Sequence, residues 1–253
     1  MKKIISIALL NFKQATRDKV FSGTVLFFIF YLFFCVLLKE LSPGHAEKVL
    51  RNVGLVGIEL TSIIFIIFSF TVTFFKERET RILEVYLSNC PRASYISGKI
   101  IGYIFITIVY LCFSSCAYFF VLKLFGAFEF SVLAALYPLF LKIILIILIT
   151  SIFSCLFSSA ALALLATLFL YLGCELMPMA LKIVRNYGAG RQKLMVENLY
   201  SFLPNMDKLD IKQLAVYGQF PSAGYLLLIS FYAIIYIVGL WIINVFVFQK
   251  KRY

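Results

Sequence analysis

The sequence predicts an all-α membrane protein: six transmembrane helices behind an N-terminal amphipathic helix at the membrane surface, with both termini cytoplasmic. Three observations predict it. Of the 253 residues, 62% are hydrophobic and 14% charged, where soluble domains run nearer half apolar and a quarter charged. Apolar runs close to the ~20 residues that a bilayer core requires recur along the whole chain. Lys and Arg mostly flank those runs and seldom interrupt them. Open sheets are excluded, because unpaired backbone groups in hydrocarbon are too costly.

The net charge of +12 does not point to nucleic acid as a partner. The basic residues form no stripe on a soluble face; they sit where lipid headgroups and the positive-inside bias put them. Of the six cysteines, Cys35, Cys112, Cys116, Cys155 and Cys174 lie in apolar runs and Cys90 in a charged loop. That distribution predicts no extracellular disulfide framework. Cys112 and Cys116 share a helix face and read as small packing residues sooner than as a metal or redox pair.

The first element is MKKIISIALLNFKQATRDK, residues 1–19. Its apolar stretch is only about seven residues and no small-residue cleavage site follows, which argues against a cleaved leader. Ile4, Ile5, Ala8, Leu9 and Phe12 fall at helical spacing, with Lys13, Arg17 and Lys19 beyond them. This predicts a retained helix lying on the membrane surface.

The spans are expected at 20–38, 53–75, 100–122, 132–157, 160–179 and 223–248. A polar loop containing Glu40, Pro43, His45, Glu47 and Arg51 separates the first two, and residues 123–131 turn the third into the fourth. The apolar run from Val132 to Pro178 is about 47 residues, too long for one crossing, and Ser158 and Ser159 divide it into a hairpin. Residues 180–222 form a polar outer segment before the last span, which ends in QKKRY. Six crossings put both termini on one side. That side holds 13 Lys and Arg, against 4 in the two short loops opposite and 6 in the long segment; short loops weigh most, which places the termini inside. No internal repeat or soluble domain interrupts residues 1–253, which read as a single membrane domain.

Several ionisable residues stand out. Glu59 and Glu175 lie within apolar spans, where a carboxylate is costly and is a candidate for a substrate path; the alternative is local pairing with Lys142 or Lys182. Lys142 itself is expected to snorkel to the headgroups. His45 reads as a solvated loop residue. Asp207 and Asp210, mixed with Lys208 and Lys212, read as a solvated face. Apolar positions from Leu194 to Leu214, divided by Pro204, suggest short helices in or dipping into the outer leaflet.

The loop at 76–99, KERETRILEVYLSNCPRASYISGK, is the most informative stretch. Between Thr80 and Ser88 the apolar residues Ile82, Leu83, Val85, Tyr86 and Leu87 follow helical spacing. Asn89 can end that helix, and Pro91 suits the first turn of the next. Charges explain why Lys76, Arg78 and Lys99 would stay in water. They do not explain five apolar residues in a nine-residue helix, which must be buried against the bundle or a partner.

ERETRILEVYLSNCPRASYISGKIIG resembles the loop between the second and third spans in permease subunits of type-2 ABC transporters. The matching positions are Glu79, Thr80, Leu83, Glu84, Leu87, Pro91, Arg92, Gly98 and Lys99; Tyr86 is bulkier than the usual Leu, and Cys90 and Ala93 also depart from the pattern. LYSFLPNMDKLDIK (199–212) and FYAIIYIVGLWIINVFVFQKKRY (231–253) are similar to the outer segment and the final span of one bacterial branch. The resemblance extends over the whole length.

It implies an export-type permease in the bacterial inner membrane, paired with a second permease copy or homologue and surrounded by lipid. It also implies that Glu79, Thr80, Leu83, Glu84, Tyr86, Leu87, Pro91 and Arg92 dock a separate ATPase dimer, and that the outer segment acts as a gate. ATP and Mg would be bound on that partner and no cofactor on this chain, which would not itself be an enzyme. The sequence agrees, having no GxxxxGK[ST] string; GAGRQK at 188–193 lacks the spacing. Two other classes stay open: a polytopic enzyme acting on lipids, and a channel or assembly factor without ATP coupling.

Overall fold

The computed structural model describes residues 2–42, 44–187 and 190–251. Pro43 of the first loop, the first two residues of GAGRQK, and Arg252 and Tyr253 of the basic tail lie outside the described residues. The regular elements are α1 (Lys2–Arg17), α2 (Lys19–Glu40), α3 (Ala46–Glu79), α4 (Ile82–Asn89), α5 (Arg92–Leu124), α6 (Phe130–Leu156), α7 (Ala160–Tyr187) and α8 (Gly190–Phe202). A 3-10 turn (Met206–Leu209), α9 (Lys212–Val216) and α10 (Ala223–Lys250) complete the chain. Six of these, α2, α3, α5, α6, α7 and α10, are long and apolar enough to cross a membrane, the architecture of a multi-pass membrane protein.

The helices pass back and forth between two ends. One holds α4, the α6–α7 turn and the end of α10; the other holds α8, the 3-10 turn and α9. The hairpin turn falls at 157–159, around the expected serines. The helices flanking the 76–99 loop are longer than the apolar runs suggest. α3 continues to Glu79 and α5 begins at Arg92, so half of that loop is helical extension. Arg81 separates α3 from α4 with a left-handed φ of 57°, and Cys90 is extended ahead of Pro91, as a residue before proline prefers.

α3 and α6 form the centre. α3 is mostly buried, with α2, α5, α6, α7 and α9 against it, whereas most of the apolar surface of α2, α7 and α10 faces outward. Lipid supplies no hydrophobic drive between helices, so close packing and hydrogen bonds must hold them. α5 presents Tyr95, Lys99, Tyr103, Thr107, Tyr110, Ser114 and Tyr118 at intervals of three and four residues, all buried. Toward α3, Tyr103 donates to the Ser69 carbonyl at 2.9 Å and Tyr118 to the Arg51 carbonyl at 2.9 Å. Phe65 stacks on Tyr110 with ring centres 5.1 Å apart.

α1 lies along the first half of α5. Gly98 and Gly102, one turn apart, make the approach possible: a Cβ on Gly102 would stand 2.8 Å from the Ala8 carbonyl oxygen, and one on Gly98 3.0 Å from that of Ile4. Ile7, Ala8, Asn11 and Ala15 are buried on this side, while Ile5, Leu9 and Leu10 face away.

Candidate functional site

Two clusters combine charge with burial, one toward each end of the bundle. At the α9 end, α3 contributes Glu59, α6 Lys142, α7 Glu175 and α9 Lys212. The Lys142 ammonium lies 2.5 Å from Glu59 Oε1, a close ionic contact without hydrogen-bond alignment, and donates to Glu175 Oε2 at 2.6 Å. Lys212 donates to Glu59 Oε2 and contacts Asp210 Oδ2 at 3.0 Å. One carboxylate thus bridges two ammonium groups from different elements. Lys142 is 2% exposed, with the Tyr171 ring 5.6 Å from its nitrogen. A small pocket bounded by Glu59, Lys142, Asp210 and Lys212 adjoins the cluster, with room for about one water molecule.

The cluster is held from the α9 end by an inserted segment. Met206, Leu209, Ile211, Ala215 and Val216 are buried, so the 3-10 turn and α9 plug the space between α3, α6 and α7. Arg51 fixes this plug to the neighbouring turn. Its Nε donates to the Ala127 carbonyl at 2.7 Å and its Nη1 to the Val216 carbonyl at 3.3 Å, while Nη1 pairs with Glu129 at 2.7 Å. Burial alone would push the Lys212 ammonium down, but Glu59 and Asp210 outweigh it and hold it above the ordinary lysine value.

These positions revise two sequence expectations and decide between the alternatives of a third. Lys142 does not snorkel; two carboxylates hold it inside. Asp210 and Lys212 are not a solvated face but part of the buried cluster, while Asp207 is exposed. Glu59 and Glu175 pair locally on Lys142, the alternative that the sequence offered to a substrate path.

At the other end stands α4. Leu83 is buried in the chain's own bundle, and Tyr86 and Leu87 are half-buried, with Tyr86 against Tyr95 at 5.7 Å between ring centres. Turned away from the bundle are Glu79, Thr80, Arg81, Ile82, Glu84, Val85 and Pro91; Val85 is 62% and Ile82 45% exposed. The apolar face inferred from spacing therefore divides into an inward half and an outward half. Arg92 does not face outward. It donates to the Gln249 and Lys251 carbonyls at 2.8 and 2.9 Å and ties α5 to the end of α10.

Beneath α4 lies the second cluster, which sequence reasoning missed. Lys99, expected in water, is fully buried and donates to Glu77 Oε2 at 2.6 Å; Tyr95 donates to the same oxygen. The pair joins the end of α3 to the start of α5, the two helices that α4 connects. Arg78 donates to the Phe157 carbonyl and Lys251 to the Cys155 and Leu156 carbonyls, so the α6–α7 turn is bound into the same end. A sequence signal existed: Glu77 and Lys99 are charged residues next to apolar runs, facing each other across a helical hairpin. Nothing in the spacing said that they meet.

No protein-family model, curated protein or solved structure matches the chain.

Proposed function

We propose that the chain is the permease subunit of an ABC-type transporter in the bacterial inner membrane, with both termini and α4 in the cytoplasm and α8, the 3-10 turn and α9 outside. A separate ATPase dimer, carrying ATP and Mg, docks on α4, and export is the expected direction. A second permease copy completes the pathway; the outward apolar surfaces of α2 and α7 leave room for it. α1 would lie at the inner membrane interface, with Ile5, Leu9 and Leu10 toward lipid.

One observation carries this reading: α4 is a short helix between two spans, seated on the bundle by Leu83 while Ile82 and Val85 remain outside. A solvated loop has no need for such residues in water. A partner groove that covers them, with Glu79, Arg81 and Glu84 at its rim, gives them a use. The seat matters equally, because a push on α4 reaches α3 and α5 through Tyr86, Tyr95 and the Glu77–Lys99 pair.

The test is purification of the tagged full chain from its native membrane in mild detergent. The expected result is a P-loop ATPase in stoichiometric amount, lost on the double substitution Ile82→Glu, Val85→Glu while the permease stays folded. Good yield of intact permease with no ATPase would reject the reading.

A further inference from the structure

We infer that the groove between the 3-10 turn and the first half of α10 is a binding site for one anionic phospholipid, with the headgroup phosphate at Lys208 and an acyl chain along α10. This goes beyond the transport reading and does not depend on it.

The groove is built by tyrosines. The Asn205 backbone N–H donates to the Tyr232 hydroxyl at 2.6 Å, and the Tyr225 hydroxyl donates to the Lys208 carbonyl at 3.4 Å. These contacts strap the 3-10 turn to α10 and leave a cavity of about 450 Å³ between them, within the range of small-molecule sites. Leu228, Phe231 and Ile235 line its length, and among the described residues Lys208 is the one charged residue lining it. The Lys208 ammonium is held 4.9 Å from the Tyr232 ring centre. No carboxylate among the described residues lies within ion-pair distance of it.

The position selects the occupant. α10 is apolar enough to cross a membrane, so the groove opens onto hydrocarbon, with its lysine end near the start of the helix. A water-soluble ligand does not reach such a surface. A second copy of the chain would need to bring a carboxylate to Lys208, and the helices with outward apolar faces have little to offer. α10 has no acidic residue, α2 only Glu40 at its end, and on α7 Glu175 is engaged with Lys142. A phospholipid presents a phosphate at the interface with its chains directly beneath, which matches a cation above an apolar channel.

The experiment is native mass spectrometry of the full chain after incubation with mixed phosphatidylglycerol and phosphatidylcholine vesicles and release into detergent. Wild type should retain one phosphatidylglycerol in preference to phosphatidylcholine. Lys208→Gln should reduce that preference about fivefold, and Lys208→Glu should abolish it. Leu228→Trp, which fills the channel and keeps the lysine, should lose the lipid altogether. Both positions are exposed, so the fold is not at stake. Equal retention of the two lipids by wild type, an unchanged preference in Lys208→Glu, or a lipid-free dimer closed over the groove would each overturn the assignment.

Discussion

Removing one member of a buried ion cluster strands the charges of its partners, which costs more than the cluster itself contributes. Lys142 is the sharpest case, because it touches Glu59 and Glu175 together and is nearly inaccessible. Lys142→Met should lower unfolding stability by about 3–5 kcal/mol, read as a fall in Tm in mild detergent. Adding Glu175→Gln should recover part of the loss, since the two side chains are coupled. A Lys142→Met protein as stable as wild type would mean that the cluster does not form. Lys212 makes a different point. Its pKa is raised on folding, so its contribution is fully present below the unfolded value of about 10.4 and is lost as pH rises through the folded value. The Tm difference between wild type and Lys212→Met should therefore stay constant from about pH 6 to 9 and shrink above about pH 10.5. A difference that changes near neutrality would assign the effect to another group. Deprotonation of Lys212 thus cannot release the plug at physiological pH.

At the scale of elements, helix periodicity was legible wherever one apolar run filled one crossing, and the six spanning helices follow those runs. What spacing could not supply was the partner of each polar residue. Tyr95, Lys99, Tyr103, Tyr110 and Tyr118 are visible in the sequence as a stripe, yet only packing against α3 makes them a seam. Lys212 and Glu59 are 153 residues apart, so no local pattern links them. The same holds for α4: spacing identified its apolar residues, but the division between Leu83 inside and Val85 outside depends on how the helix is seated. Gly98 is among the positions that carry the family resemblance and Gly102 is not; the structure adds that α1 rests on both. Gly102→Val would drive a branched side chain into the α1 backbone, where no side chain can yield, and should detach α1. With Ala15→Cys as reporter, a position 1% exposed, maleimide labelling should be slow in the parent and fast with Gly102→Val. Slow labelling in both would mean that α1 is held by other contacts.

Across the whole molecule, α3 connects the two clusters. It is one unbroken helix of 34 residues, roughly 50 Å long, with Glu77 bound to α5 beneath α4 and Glu59 bound to both α6 and the plug. If α4 takes a push from an ATPase, α3 can deliver it to Glu59 without an intervening hinge, and the Lys212 contact is where the plug would part. Coupling of this kind requires two discrete arrangements that both ends bias. If the chain assembles with an ATPase as proposed, then in that reconstituted complex Ala215→Cys on the plug, 1% exposed, should become reactive to a membrane-impermeant thiol reagent when ATP and vanadate are added. Replacing Glu77 and Lys99 together by Met removes both charges at once, a change that buried pairs often tolerate without loss of stability. That variant should still bind the ATPase and hydrolyse ATP, but the nucleotide-dependent labelling of residue 215 should fall at least several-fold. Undiminished labelling would show that the signal bypasses the α3–α5 junction and reaches the plug through α6 or α10. Loss of ATPase binding would instead mean that the Glu77–Lys99 pair holds the α4 docking surface in shape and is not a transmission point.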